Sequence, residues 1–448
     1  MSIDFLLEQF QKNAANPAII WQNKTLNYQD LLDKYNNANQ FLKAVNINTG
    51  EVVALTGDFT PNTIALLLAL INNKNIIVPF NAPIKENEQN KFNIAQVEKG
   101  IIVNLDDDSY GTEIRTGNAT HEYYETLRHR QSPGLVLFTS GTSGQPKGAV
   151  HDFNKLLTKF KTKRKTQRTI NFLLFDHWGG LNTLFYTLSN CGVVLALRDR
   201  KPEAVCSFVE KFKIELLPVS PSFLNLLILS EIYKEFDLSS LKLITYGTEP
   251  MPQYTLKKAK SLFPEVTFQQ TYGLIELGVL RSKSKSDDSL WVKLGGEGFE
   301  LRVVNDILQI KADSAMLGYL NADSPFTDDG YFITGDQVVV DGEYYKILGR
   351  KSEIINVGGD KVYPQEVENI ILNMDNIREV TVYGEKHAMM GNIVCAKIVL
   401  NEEEDPKEFT RRLKAYCKER MQGFKIPIKV KLEENPLFND RFKKRRNF

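Results

Sequence analysis

The sequence is short of cysteine, of any excess of one charge sign and of long apolar runs, and each shortage closes a class of function. Four cysteines, Cys191, Cys206, Cys395 and Cys417, are scattered over 448 residues with no CxxC spacing. That excludes a disulfide framework or a zinc motif and leaves them as small buried hydrophobes. Lysine plus arginine number 56 against 55 acids, so the net field offers no general attraction for nucleic acid or an anionic membrane, and any anion must be bound locally. No apolar stretch reaches the roughly 18 residues of a membrane span, and the opening MSIDFLLEQF carries acids where an export signal carries bases. The expectation is a cytoplasmic protein without a membrane span. Internal repeats and low-complexity linkers are missing too.

What is present is ordinary for a folded enzyme. Hydrophobic residues make up 42% and charged residues 25%, a balance that folds throughout, and the length suggests two or three units of about 150 residues. From residue 60 to about 280, helical periodicity alternates with short β-branched runs: TIALLLALINN, IIVPF, GLVLFTS, INFLLF, a helix near NTLFYTL, VVLAL, PEAVCSFVEKF, IELLPVS and LKLITYGTE. This predicts a largely parallel sheet covered by helices, with ligands at the carboxyl ends of its strands, where the loops after LVLF, LITY and TFQQ project. Between about 295 and 348 the pattern shortens to LRVV, LQIKA, YFIT, QVVV and YYKIL separated by turns, which predicts a small antiparallel β unit. After GRKSE come a helix (PQEVENIILNM), two strands (VTVYG, VCAKIVL), a long amphipathic helix (DPKEFTRRLKAYCKERM) and a last strand (PIKVKLE). The fold class expected is therefore α/β: a large N-terminal domain over 1–349, with mainly parallel sheets and a small β unit, and a small mobile α+β lid over 350–448.

The chemistry begins in LVLFTSGTSGQPKGAVH, an apolar strand running into small and hydroxylated residues. Gly141, Gly144 and Gly148 free the backbone to aim its amides at a ligand, Thr139, Ser140, Thr142 and Ser143 add hydroxyl donors, and Lys147 adds a point charge. Such a loop suits a polyphosphate. It is not a Walker loop, because Lys147 follows Pro146 and precedes glycine.

Four further segments follow in order: LITYGTEPMP, FQQTYGLIELG, YFITGD and LGRKSEIINVGGDKVYPQEVE. With these the chain resembles the adenylate-forming superfamily of acyl-CoA synthetases, aryl-CoA ligases, luciferases and nonribosomal peptide synthetase adenylation domains. The match runs from about 135 to 368 and is carried to the end by FKIP and the tail. The resemblance implies that Gly247, Thr248, Glu249 and Pro250 pack against adenine. In the segment of Gln270, Thr271, Tyr272 and Gly273 it implies that Tyr272 stacks on the base. Glu276 would hold magnesium, Asp336 the ribose hydroxyls, and Arg350 would precede a hinge at Ser352. Gly358 and Gly359 would border a thiol channel. FDHWGGLNTLF matches a segment beside the substrate carboxylate, which implies an acyl pocket of His177, Trp178, Gly179 and Tyr246, with Ser220, Phe223 and Leu274 as further candidates. The register places His177, not Asp176, at the pocket, so an acid without an α-amino group is favoured.

The sequence departs from the family at three places. Ile275 stands where threonine is usual, Ser352 where aspartate or lysine is common, and NDRFKKRRNF replaces the glycine-lysine signature. Lys443 is the candidate catalytic lysine and Lys444 its alternative. The activity implied is an ATP-dependent, magnesium-requiring ligase. It would activate a small carboxylic acid as acyl-AMP and pass it to CoA or to the phosphopantetheine of an acyl carrier protein. The alternatives are a stand-alone enzyme that loads a carrier protein and a nucleotide-binding protein that has lost ligase activity.

Overall fold

In the computed structural model, which describes residues 2–82, 88–114, 117–140, 145–387, 390–438 and 444, the alternating runs build two seven-stranded, mainly parallel sheets, as the expected large α/β unit requires. The first runs, in spatial order, Gly318–Tyr319, Pro146–Asp152, Gly134–Ser140, Ile76–Asn81, Val52–Gly57, Lys99–Val103 and Tyr110–Ile114. The second runs Thr267–Gln270, Leu243–Tyr246, Leu216–Val219, Thr169–Asn171, Val194–Ala196, Pro17–Trp21 and Lys24–Asn27. Inner neighbours pair in parallel, and antiparallel strands close the edges.

Helix Pro61–Asn72 explains why there are two sheets. It is capped by Thr60, opened by Pro61, and buried along nearly its whole length. Apolar on every side, it needs cover on every side. Its residues share one core with Val53, Leu55 and Ile77 of the first sheet and with Ile19 and Val194 of the second. A second core lies under the far end of the second sheet, around Phe172, Phe223, Ile244 and Phe268. No helix of the described residues is long and apolar enough to cross a membrane.

The small β unit is a six-stranded antiparallel sheet in the order Arg281–Ser284, Trp291–Gly295, Tyr344–Arg350, Phe332–Asp341, Ile307–Ala312 and Phe299–Val304. It starts earlier than the expected 295. Strand Arg281–Ser284 shows no fully buried position, so its residues carry no apolar alternation. The C-terminal unit forms its own core around Val362, Val367, Val382, Ile398, Phe409 and Leu413. Strands Ile377–His387 and Gly391–Leu400 make its hairpin, Lys429–Leu432 adds in parallel, and helices Pro364–Ile371 and Pro406–Lys418 cover it. Burial of each large aliphatic side chain contributes about 1.5–3 kcal/mol, so such a core suffices for a small domain. The unexpected element is a short hairpin, Ile355–Val357 with Asp360–Val362.

Candidate active site

The second sheet delivers two of the anticipated loops side by side. Tyr246 and Gln270 end neighbouring parallel strands in register. Beyond them the Thr271 N–H and hydroxyl both donate to the Tyr246 carbonyl, at 2.8 and 3.1 Å. Gly247 meets Thr271 so closely that a Cβ would stand 2.4 Å from its Oγ1 and 2.8 Å from its carbonyl oxygen; only glycine fits. Thr248 follows at φ +72°, a left-handed conformation that costs a threonine energy and that the surrounding contacts enforce. Glu249 accepts the N–H of Ser222 at 2.8 Å on one oxygen and that of Lys444 at 3.2 Å on the other. Gln270, buried, donates its backbone N–H to Ser284 Oγ at 2.9 Å.

The third loop arrives differently from expectation. Gly134–Ser140 pairs with Pro146–Asp152 as an antiparallel hairpin, Thr139 opposite Lys147 and Ser140 opposite Pro146. The strands on either side of the glycine-rich stretch are therefore antiparallel neighbours in the first sheet. Gly141, Thr142, Ser143 and Gly144 lie outside the described residues. Lys147 Nζ sits 5.4 Å from the centre of the Tyr319 ring, and the Gly148 N–H donates to Asn321 Oδ1 at 3.1 Å.

Two carboxylates of this region, Asp336 and Glu276, are buried. Asp336 pairs in register with Arg350 across neighbouring strands. Arg350 Nε lies 3.4 Å from Asp336 Oδ1, while the Tyr272 hydroxyl donates to Oδ2 at 2.6 Å. Burial raises the Asp336 carboxyl above the usual carboxylate range, with Arg350 and then Tyr272 pulling it back. Burial works against the Arg350 charge, but Asp336 and Glu276 outweigh it and hold the guanidinium above its ordinary pKa. Tyr272, expected as a stacking ring, is thus also the tie that orients Asp336. Glu276 accepts the Tyr319 hydroxyl at 2.6 Å. Burial, then the Glu276 charge, drives the Tyr319 phenol well above its usual pKa, so it stays a donor. A buried carboxylate held this way keeps its remaining lone pairs free to accept from hydroxyl groups or to ligate a hard cation. The described residues contain no cluster of three metal-ligating side chains. One carboxylate oxygen with phosphate and water is nevertheless a fitting set for magnesium.

The candidate acyl pocket sorts less cleanly. His177 caps helix Trp178–Ser189, its Nδ1 accepting the Gly179 N–H at 3.0 Å. Trp178 is 2% exposed and packs edge-on against Phe153. Ser220 caps helix Pro221–Ser230, accepting the Phe223 N–H at 3.1 Å. Phe223 and Tyr246 belong to the second core. Leu274 is part-buried, and Ile275 packs against two cores at once, an apolar use of the position where the family has a hydroxyl.

Ser352 is exposed in the 3-10 turn Lys351–Glu353. Gly358 and Gly359 are the two-residue turn of the unexpected hairpin, with φ +59° and +100° and Val357 opposite Asp360, the positive-φ pair that such a turn demands. Lys443 lies outside the described residues. Lys444, its alternative, has its ammonium on Glu368 at 2.8 Å; Glu368 is 1% exposed, and its other oxygen accepts the Val382 N–H. Further bonds join the units, Gln253 N–H to Asn369 Oδ1 and Gln365 Nε2 to the Met251 carbonyl. Sequence reasoning missed Tyr319, which stands outside the matching segments, and Glu368, which closes the last of them without an assigned role.

Comparison with known proteins gives the family. The AMP-binding enzyme model matches residues 6–331 and the AMP-binding enzyme C-terminal domain model matches 366–437. An indoleacetate–CoA ligase of Aromatoleum aromaticum (strain DSM 19018 / LMG 30748 / EbN1) is 29% identical over 60% of this chain, a stretch that spans only 58% of that relative. A 2-succinylbenzoate–CoA ligase of Listeria monocytogenes serotype 4b (strain F2365) is 24% identical over 96% of this chain and 95% of its own. The crystal structure of the anthranilate CoA ligase AuaEII in complex with anthranoyl-AMP superposes with TM-score 0.82 at 18% identity, covering 99% of this chain and 95% of that one. By these two consecutive family matches, the first over most of its length, the chain belongs to the AMP-binding enzymes, the adenylate-forming ligases.

Proposed function

We propose that the protein is an acid–thiol ligase that converts a small carboxylic acid to its acyl-AMP with ATP and then transfers the acyl group to CoA. The observation that carries this reading is the pairing of Tyr272, Asp336 and Arg350 beside Tyr319 and Glu276 on one rim. Asp336 accepts the ribose hydroxyls, Tyr272 and the Gly247–Pro250 segment enclose the base, and Thr139–Gly144 with Lys147 hold the phosphates. Glu276 supplies the protein oxygen to magnesium, whose chemistry is to spread the charge of the departing pyrophosphate. The acid carboxylate, held near His177 and Gly179, displaces pyrophosphate at the α-phosphorus; catalysis is positioning plus electrostatic stabilisation. Lys443 is the tail lysine of this step, because the Lys444 ammonium is engaged with Glu368. Rotation about Ser352 then exchanges the tail for the Gly358–Gly359 turn, and the boundary between the units lies at 349/350. A carrier-protein phosphopantetheine is the second possible acceptor.

The test is ATP–pyrophosphate exchange over short, medium, aryl and hydroxy acids, followed by CoA consumption with the best acid. Exchange and acyl-CoA formation are expected with at least one class. ATP binding with no exchange across the panel would leave a nucleotide-binding protein in place of a ligase.

A further inference from the structure

Glu249 carries a carboxylate that enclosing a base does not require. One of its oxygens accepts the Ser222 N–H at 2.8 Å, in the first turn of helix Pro221–Ser230. That turn holds no acid of its own, and Ser220 already caps it by accepting the Phe223 N–H at 3.1 Å. A carboxylate beside the unpaired N–H groups of a helix start is held there electrostatically, so this bond fixes the Glu249 side chain within the large unit. Thr248, left-handed at φ +72°, turns the chain into that position, a strain of the kind retained where a side chain has to be aimed. The second oxygen is turned outward, to the small unit. It accepts the Lys444 backbone N–H at 3.2 Å.

The tail comes to Glu249 already fastened to the small unit. Leu437 donates its N–H to Glu379 at 2.8 Å, Phe438 pairs with Lys444 in an antiparallel bridge, and the Lys444 ammonium meets Glu368 at 2.8 Å. Glu379 lies in strand Ile377–His387 and Glu368 in helix Pro364–Ile371, so both travel with the tail when the small unit rotates. Glu249 stays behind. The bond between Lys444 and Glu249 therefore belongs to one arrangement of the units, the one in which the tail lies against the base-enclosing segment. The N–H concerned is that of the peptide joining Lys443 to Lys444, so Glu249 grips the backbone of the tail lysine itself. The bonds of Gln253 to Asn369 and of Gln365 to Met251 join other elements of the two units.

We propose that Glu249 is a positioning residue for adenylation: by holding the Lys443–Lys444 peptide it presents the tail lysine at the α-phosphate while the units stand in this arrangement. The proposal rests on the acyl-adenylate reading with Lys443 as the tail lysine. Glu249 acts through the tail and touches no reacting atom.

The experiment compares two half-reactions of the full-length protein, using the fastest acid among acetate, hexanoate, benzoate and 3-hydroxybutanoate. The first is ATP–pyrophosphate exchange, and the second is acyl transfer to CoA from supplied acyl-AMP. Glu249→Gln keeps the shape and one acceptor oxygen, which the Ser222 N–H takes; its amide NH2, a donor, then faces the Lys444 N–H. Its kcat for exchange is expected to fall about 10- to 150-fold, the range for a hydrogen bond to a charged group. KM for ATP and the rate of acyl transfer are expected to move by a clearly smaller factor. Glu249→Ala, which removes both oxygens, is expected to show the same split. A higher KM for ATP at unchanged kcat makes Glu249 a base-binding residue alone, equal loss in both half-reactions makes it a structural support, and undiminished exchange in both variants releases the tail from it. Each of these overturns the proposal and leaves the ligase reading standing. Wild-type silence with every acid overturns the ligase reading and the proposal together.

Discussion

At the scale of single residues, the site depends on tyrosine hydroxyls that hold carboxylates. Tyr319 donates to Glu276 from a strand of only two residues, Gly318–Tyr319, at the edge of the first sheet. Tyr319→Phe removes that donor while keeping the ring beneath Lys147. A hydrogen bond to a charged group contributes about 1.5–3 kcal/mol, so the variant is expected to lose about 10- to 150-fold in exchange rate with little change in melting temperature. An unaltered rate at saturating ATP and magnesium would show that Glu276 orients itself. The carboxylates were legible in the sequence, because they sit in segments with fixed order and spacing. Their tyrosine partners were not: the Tyr319 hydroxyl reaches Glu276 across 43 positions, and no local pattern announces such a bond. Tyr272 was legible as a ring and illegible as a donor for the same reason.

At the scale of elements, apolar periodicity located most strands and helices, and glycines marked where elements approach one another. Helix Pro202–Phe212 falls where PEAVCSFVEKF placed it. INFLLF does not continue as a strand past Asn171, because the carbonyls of Leu173 and Leu174 turn toward the start of helix Trp178–Ser189. A Cβ on Gly180 would stand 2.2 Å from the Leu174 oxygen and 2.7 Å from that of Leu173. Backbone cannot yield as a side chain can. Gly180→Ala is therefore expected to destabilise the protein by about 1–3 kcal/mol, the range for overpacking, read as an earlier midpoint in urea. An unshifted midpoint would mean that the helix start moves freely. The glycine-glycine hairpin at Gly358–Gly359 escaped notice as an element because its flanking strands, Ile355–Val357 and Asp360–Val362, are three residues each, too short for a two-residue period to register.

At the scale of the whole molecule, the tail is a latch between the two units. Lys444 gives its backbone N–H to Glu249 of the large unit and its ammonium to Glu368 of the small one. Lys444→Met leaves Glu368 buried without its cation. Breaking a buried pair costs about 3–5 kcal/mol, and the 19% exposure of the Lys444 side chain reduces that share. Faster amide exchange is expected around Val382 and in helix Pro364–Ile371, by about 10- to 100-fold, with the large unit unchanged. Uniform protection would assign the docking to Gln253 and Gln365 instead. None of this was legible in the sequence, where Lys444 reads only as the alternative catalytic lysine and Glu368 as the last residue of a matching segment. The order of the strands has a kinetic consequence. The first sheet is built almost entirely from residues 52–152, so it can assemble from neighbours in the chain. The second sheet waits for Pro17–Trp21 to find Val194–Ala196, a separation of about 175 residues. Loop-closure entropy makes that the slow encounter. Until it occurs, the rim that holds Tyr246 and Gln270 belongs to a sheet with an open edge, so competence to bind nucleotide is expected to appear late in folding, after most of the secondary structure has formed.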